Sequence, residues 1–79
     1  MKLHLGGHLN WYDPNKKPWV EIKLSAPTTL GAVLKTLGVP PAEIAVGALN
    51  GAAIFSFEEV RVTNRDRVEL YPPIGGGAR

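Results

Sequence analysis

Few residues of this chain have the type and spacing to do chemistry, and most lie near its two ends. His4 and His8 stand four apart, so a strand would place both on one face. Two imidazoles without a third ligand fall short of a metal site, and no metal is expected. The natural reading is solvent-facing histidines. Trp11, Tyr12 and Trp19, with Lys16 and Lys17 beside them, have the composition of a base-stacking platform. Such a cluster reads better as hairpin packing or a protein-contact patch, and no nucleic-acid partner is expected. Arg61, Arg65 and Arg67 are interrupted by Thr63 and Asp66 and read as a solvated edge. No Ser/His/Asp arrangement, phosphate-binding loop or carboxylate pair has usable spacing, so intrinsic catalysis is not expected. What remains is the C-terminal run Pro72-Pro73-Ile74-Gly75-Gly76-Gly77-Ala78-Arg79. Its last residues carry almost no side chain to pack, and a mobile tail is expected over 75–79 behind a domain over 1–74.

The elements that must carry these residues follow from periodicity. Residues 2–9 begin with Leu3 and Leu5 on one side and Lys2 and His4 on the other, the period-two signature of a half-buried strand. Gly6-Gly7 interrupts it and predicts a bulge or a close backbone approach. Residues 10–18 are a turn cluster around Asp13-Pro14-Asn15. Alternation resumes over 19–24, with Val20, Ile22 and Leu24 against Glu21 and Lys23, so the two segments form a long-looped hairpin. Thr28 or Thr29 caps a helix of about ten residues. Leu30, Val33, Leu34 and Leu37 form its apolar face, and Gly38 with Pro40-Pro41 ends it. Residues 44–49 read as a strand, Asn50-Gly51 as a tight turn, and 52–57 as a short strand or extended segment. Residues 58–62 are ambiguous and 63–67 turn-like. Residues 68–71 form a strand with Val68 and Leu70 inward, and Pro72-Pro73 stops it. The order predicts an α+β domain with a mixed sheet of four or five strands, covered on one face by one main helix.

Composition sets the outer limits. Seventy-nine residues, 44% hydrophobic and 20% charged, make one domain with a small core. No cysteine is present to staple it, which agrees with a cytoplasmic protein. No apolar stretch approaches the roughly 18–20 residues of a membrane span. The first fourteen residues lack the apolar run of a secretory signal. A net charge of +2 is too slight for a phosphate-binding stripe.

At the C-terminus the pattern becomes specific. Residues 66–77, Asp-Arg-Val-Glu-Leu-Tyr-Pro-Pro-Ile-Gly-Gly-Gly, place a turn, an apolar strand, two prolines and a glycine run in succession. This ending resembles that of the MoaD/ThiS family of ubiquitin-like sulfur carriers. The helix beginning near Thr28 and the Asn50-Gly51 turn agree with the family further upstream. The paired prolines look closer to MoaD, the small subunit of molybdopterin synthase. Two features depart from the family: Ala78-Arg79 follows the glycines, and residues 6–19 do not look like the usual N-terminal hairpin.

The resemblance implies a ubiquitin-like β-grasp fold and a carrier that is not itself an enzyme. In the family a MoeB/ThiF-like partner adenylates the last glycine's carboxylate, using ATP and magnesium, and sulfur then replaces the adenylate to give a thiocarboxylate. The carrier binds no cofactor of its own. The matching glycine here is Gly77, with Gly75 and Gly76 threading the partner's channel and Pro72 and Pro73 stiffening the tail's base. The Gly77 carboxyl is in peptide linkage to Ala78, so a C-terminal peptidase is implied as a further partner. The large subunit of a molybdopterin-synthase-like complex is another, and Phe55, Phe57 and Tyr71 are the implied contact residues. The same resemblance leaves open a thiamine-pathway carrier, a ubiquitin-like protein modifier and a non-conjugating binding module.

Overall fold

The computed structural model describes residues 1–73. Ile74 and the tail expected over 75–79 lie outside the described residues. The chain forms strands β1 (Lys2–Leu5), β2 (Trp19–Glu21) and β3 (Thr28–Thr29), helix α1 (Leu30–Leu37), then β4 (Val46–Leu49), β5 (Ala52–Ala53), β6 (Arg61–Val62) and β7 (Arg67–Tyr71). Five strands make one mixed sheet in the order β2-β1-β7-β4-β5. β7 is central, parallel to β1 and antiparallel to β4. β3 and β6 form a separate two-stranded ladder at the start of α1. The mixed sheet with one main helix is the β-grasp arrangement expected from the sequence.

Period two decides which face is buried. Leu3, Leu5, Val68 and Leu70 point inward and are almost wholly buried. They meet Leu30, Val33 and Leu34 of α1, with Leu9, Val39, Ile44, Ile54 and Val62 closing the rim. The helix is eight residues long because both ends are capped. The Ala32 N–H donates to Thr29 Oγ1 at 3.3 Å. At the other end Gly38 takes φ +79°, and Val39 N–H donates back to the Leu34 carbonyl at 2.9 Å, the bonding of a Schellman cap. Asn50 and Gly51 both take positive φ, as the expected two-residue turn requires, and set Leu49 opposite Ala52.

Three expectations change. The strand expected over 2–9 ends at Leu5, and residues Gly7–Tyr12 wind into a 3-10 helix. Gly7 has φ +54° and turns the chain off the sheet, so His4 and His8 do not share a face. The strand expected over 19–24 ends at Glu21, although Ile22 and Leu24 keep their inward packing. Leu24 instead pairs with a side chain: its N–H donates to Asn64 Oδ1 at 2.7 Å, and Asn64 Nδ2 donates to its carbonyl at 2.6 Å. An amide group thereby takes the place of a neighbouring strand. The ambiguous stretch over 58–62 resolves as a turn followed by β6, whose partner β3 could not be read locally.

Candidate functional site

In the sequence the glycine run follows β7 and Pro72-Pro73-Ile74, so the surroundings of Tyr71 and Pro72 form the candidate site. β7 ends there because Pro72 has no N–H for the ladder. The Tyr71 carbonyl is the last β7 acceptor, taking the Ala45 N–H at 2.8 Å. On the other side Gly6 N–H donates to the Leu70 carbonyl at 2.8 Å. The segments on both sides therefore grip β7 up to the residue before Pro72.

Register places Tyr71 on the sheet face away from the helix, opposite Val46 on β4. His4 on β1 shares that face, with Trp19 of β2 opposite it. The His4 ring lies between two aromatics, 4.7 Å from the Trp19 ring centre and 5.5 Å from that of Tyr71. Trp19 is 45% exposed and Val46 56%. Together these four side chains make an apolar and aromatic strip across the open face of the sheet, ending beside the tail root. Its rim is charged and mixed in sign. Lys2 and Glu21 stand opposite each other, and Arg67 Nε lies 3.4 Å from Glu69 Oε2. The Tyr71 hydroxyl donates to Glu69 Oε1 at 3.1 Å, and this bond raises its pKa above the ordinary phenolic value. Within the strip His4 Nδ1 is buried without a hydrogen-bond partner among the described residues.

The three aromatic contact residues expected from the sequence are thus set apart. Tyr71 lies on the open sheet face. Phe55 is 95% exposed, on the connection between β5 and β6. Phe57 is half-buried against the core, with its ring over Gly47, where an added Cβ would stand 2.6 Å from Cε1. Pro72 is half-buried and Pro73 exposed, while Gly75, Gly76 and Gly77 lie outside the described residues. His4 and Val46 are the strip residues that sequence reasoning did not assign to a contact site, while Trp19 was read only as hairpin packing or a protein-contact patch together with Trp11 and Tyr12. Alternation along β1 carried the signal for His4. Val46 needed the β4–β7 register.

The aromatic cluster over 11–19 does not form one platform. Trp11 is exposed with Lys16 Nζ 5.5 Å from its ring centre, a cation–π contact, while Trp19 belongs to the sheet face. Tyr12 packs against the core and donates its hydroxyl to Glu43 Oε2 at 2.7 Å. His8 Nε2 lies 3.0 Å from the other carboxylate oxygen. The Tyr12 bond, then that of His8, holds the Glu43 carboxyl below its usual range, and Tyr12 is raised in turn. Among the described residues no group of three or more His, Cys, Asp or Glu side chains is placed to hold a metal ion. No helix among them is long and apolar enough to cross a membrane.

The sequence matches the ThiS family over residues 15–77, a span that takes in the helix, the Asn50-Gly51 turn, β7 and the three glycines. The chain belongs to the ThiS family. A comparison with curated proteins gives no match. ThiS-family proteins are ubiquitin-like sulfur carriers, small and non-catalytic, that partner with adenylating enzymes. The match begins at residue 15 and so omits β1 and the 3-10 helix. The 3-10 helix lies within residues 6–19, the segment that departs from the family pattern in the sequence, and in this ThiS-family chain it and β1 flank the tail root.

Proposed function

We propose that this chain carries sulfur as a thiocarboxylate on Gly77, for assembly of the pterin cofactor of molybdenum or tungsten enzymes. A peptidase first frees the Gly77 carboxyl by cleaving the bond to Ala78. A partner enzyme then uses ATP and magnesium to adenylate it: a carboxylate oxygen attacks the α-phosphorus and pyrophosphate leaves. The mixed anhydride makes the acyl carbon reactive, and a sulfur nucleophile displaces AMP. The carrier supplies no acid, base or nucleophile. Glycines suit the tail because a residue without Cβ can enter a narrow channel in any backbone conformation. Pro72-Pro73 lower the ordering cost of docking by restricting the tail's base.

The observation that carries this reading is the strip Trp19–His4–Tyr71–Val46 running up to the tail root. A carrier must rest its body on a partner while its tail enters the partner's site, and here the two features adjoin. A hydrogen-bonding group from a docked partner would also satisfy His4 Nδ1. The paired prolines favour the pterin pathway and a molybdopterin-synthase-like large subunit as acceptor. The ThiS family match favours a second reading, delivery of the sulfur to the thiamine pathway.

The test uses protein ending at Gly77, mixed with a MoeB/ThiF-like enzyme, ATP, magnesium and a sulfide source. Intact mass should show the acyl-adenylate and then exchange of one oxygen for sulfur. Absence of both, while the same enzyme turns over its own carrier, would overturn the reading. Retention of the product by a molybdopterin-synthase large subunit supports the pterin destination, and retention by a thiazole-forming enzyme instead supports the thiamine one. Isopeptide-linked adducts in cell extracts would move the assignment to a protein modifier.

A further inference from the structure

Residues 6–7 are packed against the tail root without space for a side chain. A Cβ on Gly6 would stand 2.5 Å from Tyr71 Cδ1 and 2.9 Å from the Leu70 carbonyl oxygen. A Cβ on Gly7 would stand 2.6 Å from Pro72 Cγ, at a φ of +54°. The backbone of residues 6–7 therefore forms a seat for Tyr71 and Pro72. From this seat the 3-10 helix Gly7–Tyr12 leads to His8 and Tyr12, which both bond Glu43. Glu43 ends the short 3-10 helix Pro41–Glu43, and two residues later Ala45 donates to the Tyr71 carbonyl. The contacts close a ring: seat, His8/Tyr12–Glu43 clasp, Ala45, Tyr71, and back to the seat. The ring encircles the point where the chain leaves β7.

We infer that Gly6, Gly7 and the His8/Tyr12–Glu43 clasp are positioning residues for the tail. They hold the Tyr71–Pro72 step in one geometry, so the chain leaves the sheet in a fixed direction relative to the docking strip. The body's orientation on its partner then determines where Gly77 arrives. A loosened root would leave docking intact but spread the carboxylate over many positions, which lowers turnover more than affinity. The inference rests on the sulfur-carrier reading for its kinetic consequence. The ring itself can be tested on the carrier alone.

The decisive comparison is Gly7→Ala against Gly38→Ala. Both place a side chain at positive φ, but nothing lies within 4 Å of the Gly38 position. Glu43→Ala opens the clasp from the partly exposed side, and Glu43→Gln keeps an acceptor for Tyr12. Two quantities are read in Gly77-terminated protein: amide exchange at Ala45, and kcat and KM for adenylation. Gly7→Ala and Glu43→Ala should speed Ala45 exchange and lower kcat by about tenfold to a hundredfold, with KM within about twofold of wild type. Gly38→Ala and Glu43→Gln should stay near wild type in both. The inference is overturned if Gly7→Ala and Glu43→Ala behave as Gly38→Ala does, or if exchange rises with kcat unchanged. If Gly7→Ala does not fold, the Glu43 pair decides by the same readouts. If the variants speed Ala45 exchange but wild type is itself not adenylated, the ring stands and the carrier reading falls.

Discussion

Asp66 shows how one carboxylate can tie three segments together. Its Oδ1 accepts from Asn50 Nδ2 at 2.9 Å, and its Oδ2 accepts from the Thr63 N–H at 2.7 Å. Asn50 in turn accepts from Arg67 N–H at 2.9 Å, so the turn before β5 is fastened to the start of β7. The Asn50 amide, then the Thr63 N–H, holds the Asp66 carboxyl below its ordinary value. Folding thus favours the ionised form. This contribution is complete above the unfolded value, about pH 4, and disappears as pH falls through the folded one. Urea denaturation at a series of pH values should show wild type losing stability below about pH 4 more steeply than Asp66→Asn. Equal slopes would mean that the carboxylate is not linked to folding. The sequence marked 63–67 only as polar and turn-like, because Asn50, the second partner of Asp66, is sixteen residues away.

At the scale of elements, α1 was legible in its face and its stop. The leucine and valine spacing named the face and Gly38 the C-terminal end, while the choice between Thr28 and Thr29 as cap, and a length of eight residues where about ten were expected, came from the structure. What local reasoning could not see is how closely the chain passes its first turn. A Cβ on Gly31 would stand 2.8 Å from the Glu58 carbonyl oxygen and 2.9 Å from Glu58 Cα. These are backbone atoms and cannot swing aside. Helix propensity alone assigns Gly31→Ala a gain of up to about 1 kcal/mol. The close approach reverses the sign, and the variant should melt below wild type in a thermal scan followed by circular dichroism. A higher Tm would show that the loop at Glu58 gives way easily. β1 was misread in length for a related reason: Gly6-Gly7 was recognised as an interruption, but its use as a seat depends on β7 arriving alongside.

For the molecule as a whole, the open face of the sheet should separate stability from association. Val46 contributes little to the core, since 56% of it is exposed. Val46→Arg should change unfolding free energy by no more than about 0.5 kcal/mol. Placed at the Tyr71 end of the docking strip, the same charge should weaken binding to the adenylating enzyme by about 2 kcal/mol, roughly thirtyfold in Kd. Titration calorimetry with the partner checks this, and an unchanged Kd would remove the strip from the interface. Phe55→Ala is the companion measurement. Phe55 stands apart on the β5–β6 connection, so the two variants report on different surfaces.

The sequence by itself determined the things that depend on near neighbours. Alternation named the inner faces of β1 and β7, helical spacing and caps named α1, Asn50-Gly51 named its turn, and Pro72-Pro73 with the glycines named the chemistry to consider. Each is a property of residues a few positions apart. Tertiary structure alone decided that Tyr71 joins His4, Trp19 and Val46, that Phe57 turns to the core while Phe55 remains in solvent, and that Gly6-Gly7 lie against Tyr71 and Pro72. All three depend on β7 inserting between β1 and β4, a pairing of segments about twenty to seventy residues apart in the chain. Register across such distances is set by the packing of the whole sheet against α1, and no local pattern encodes it.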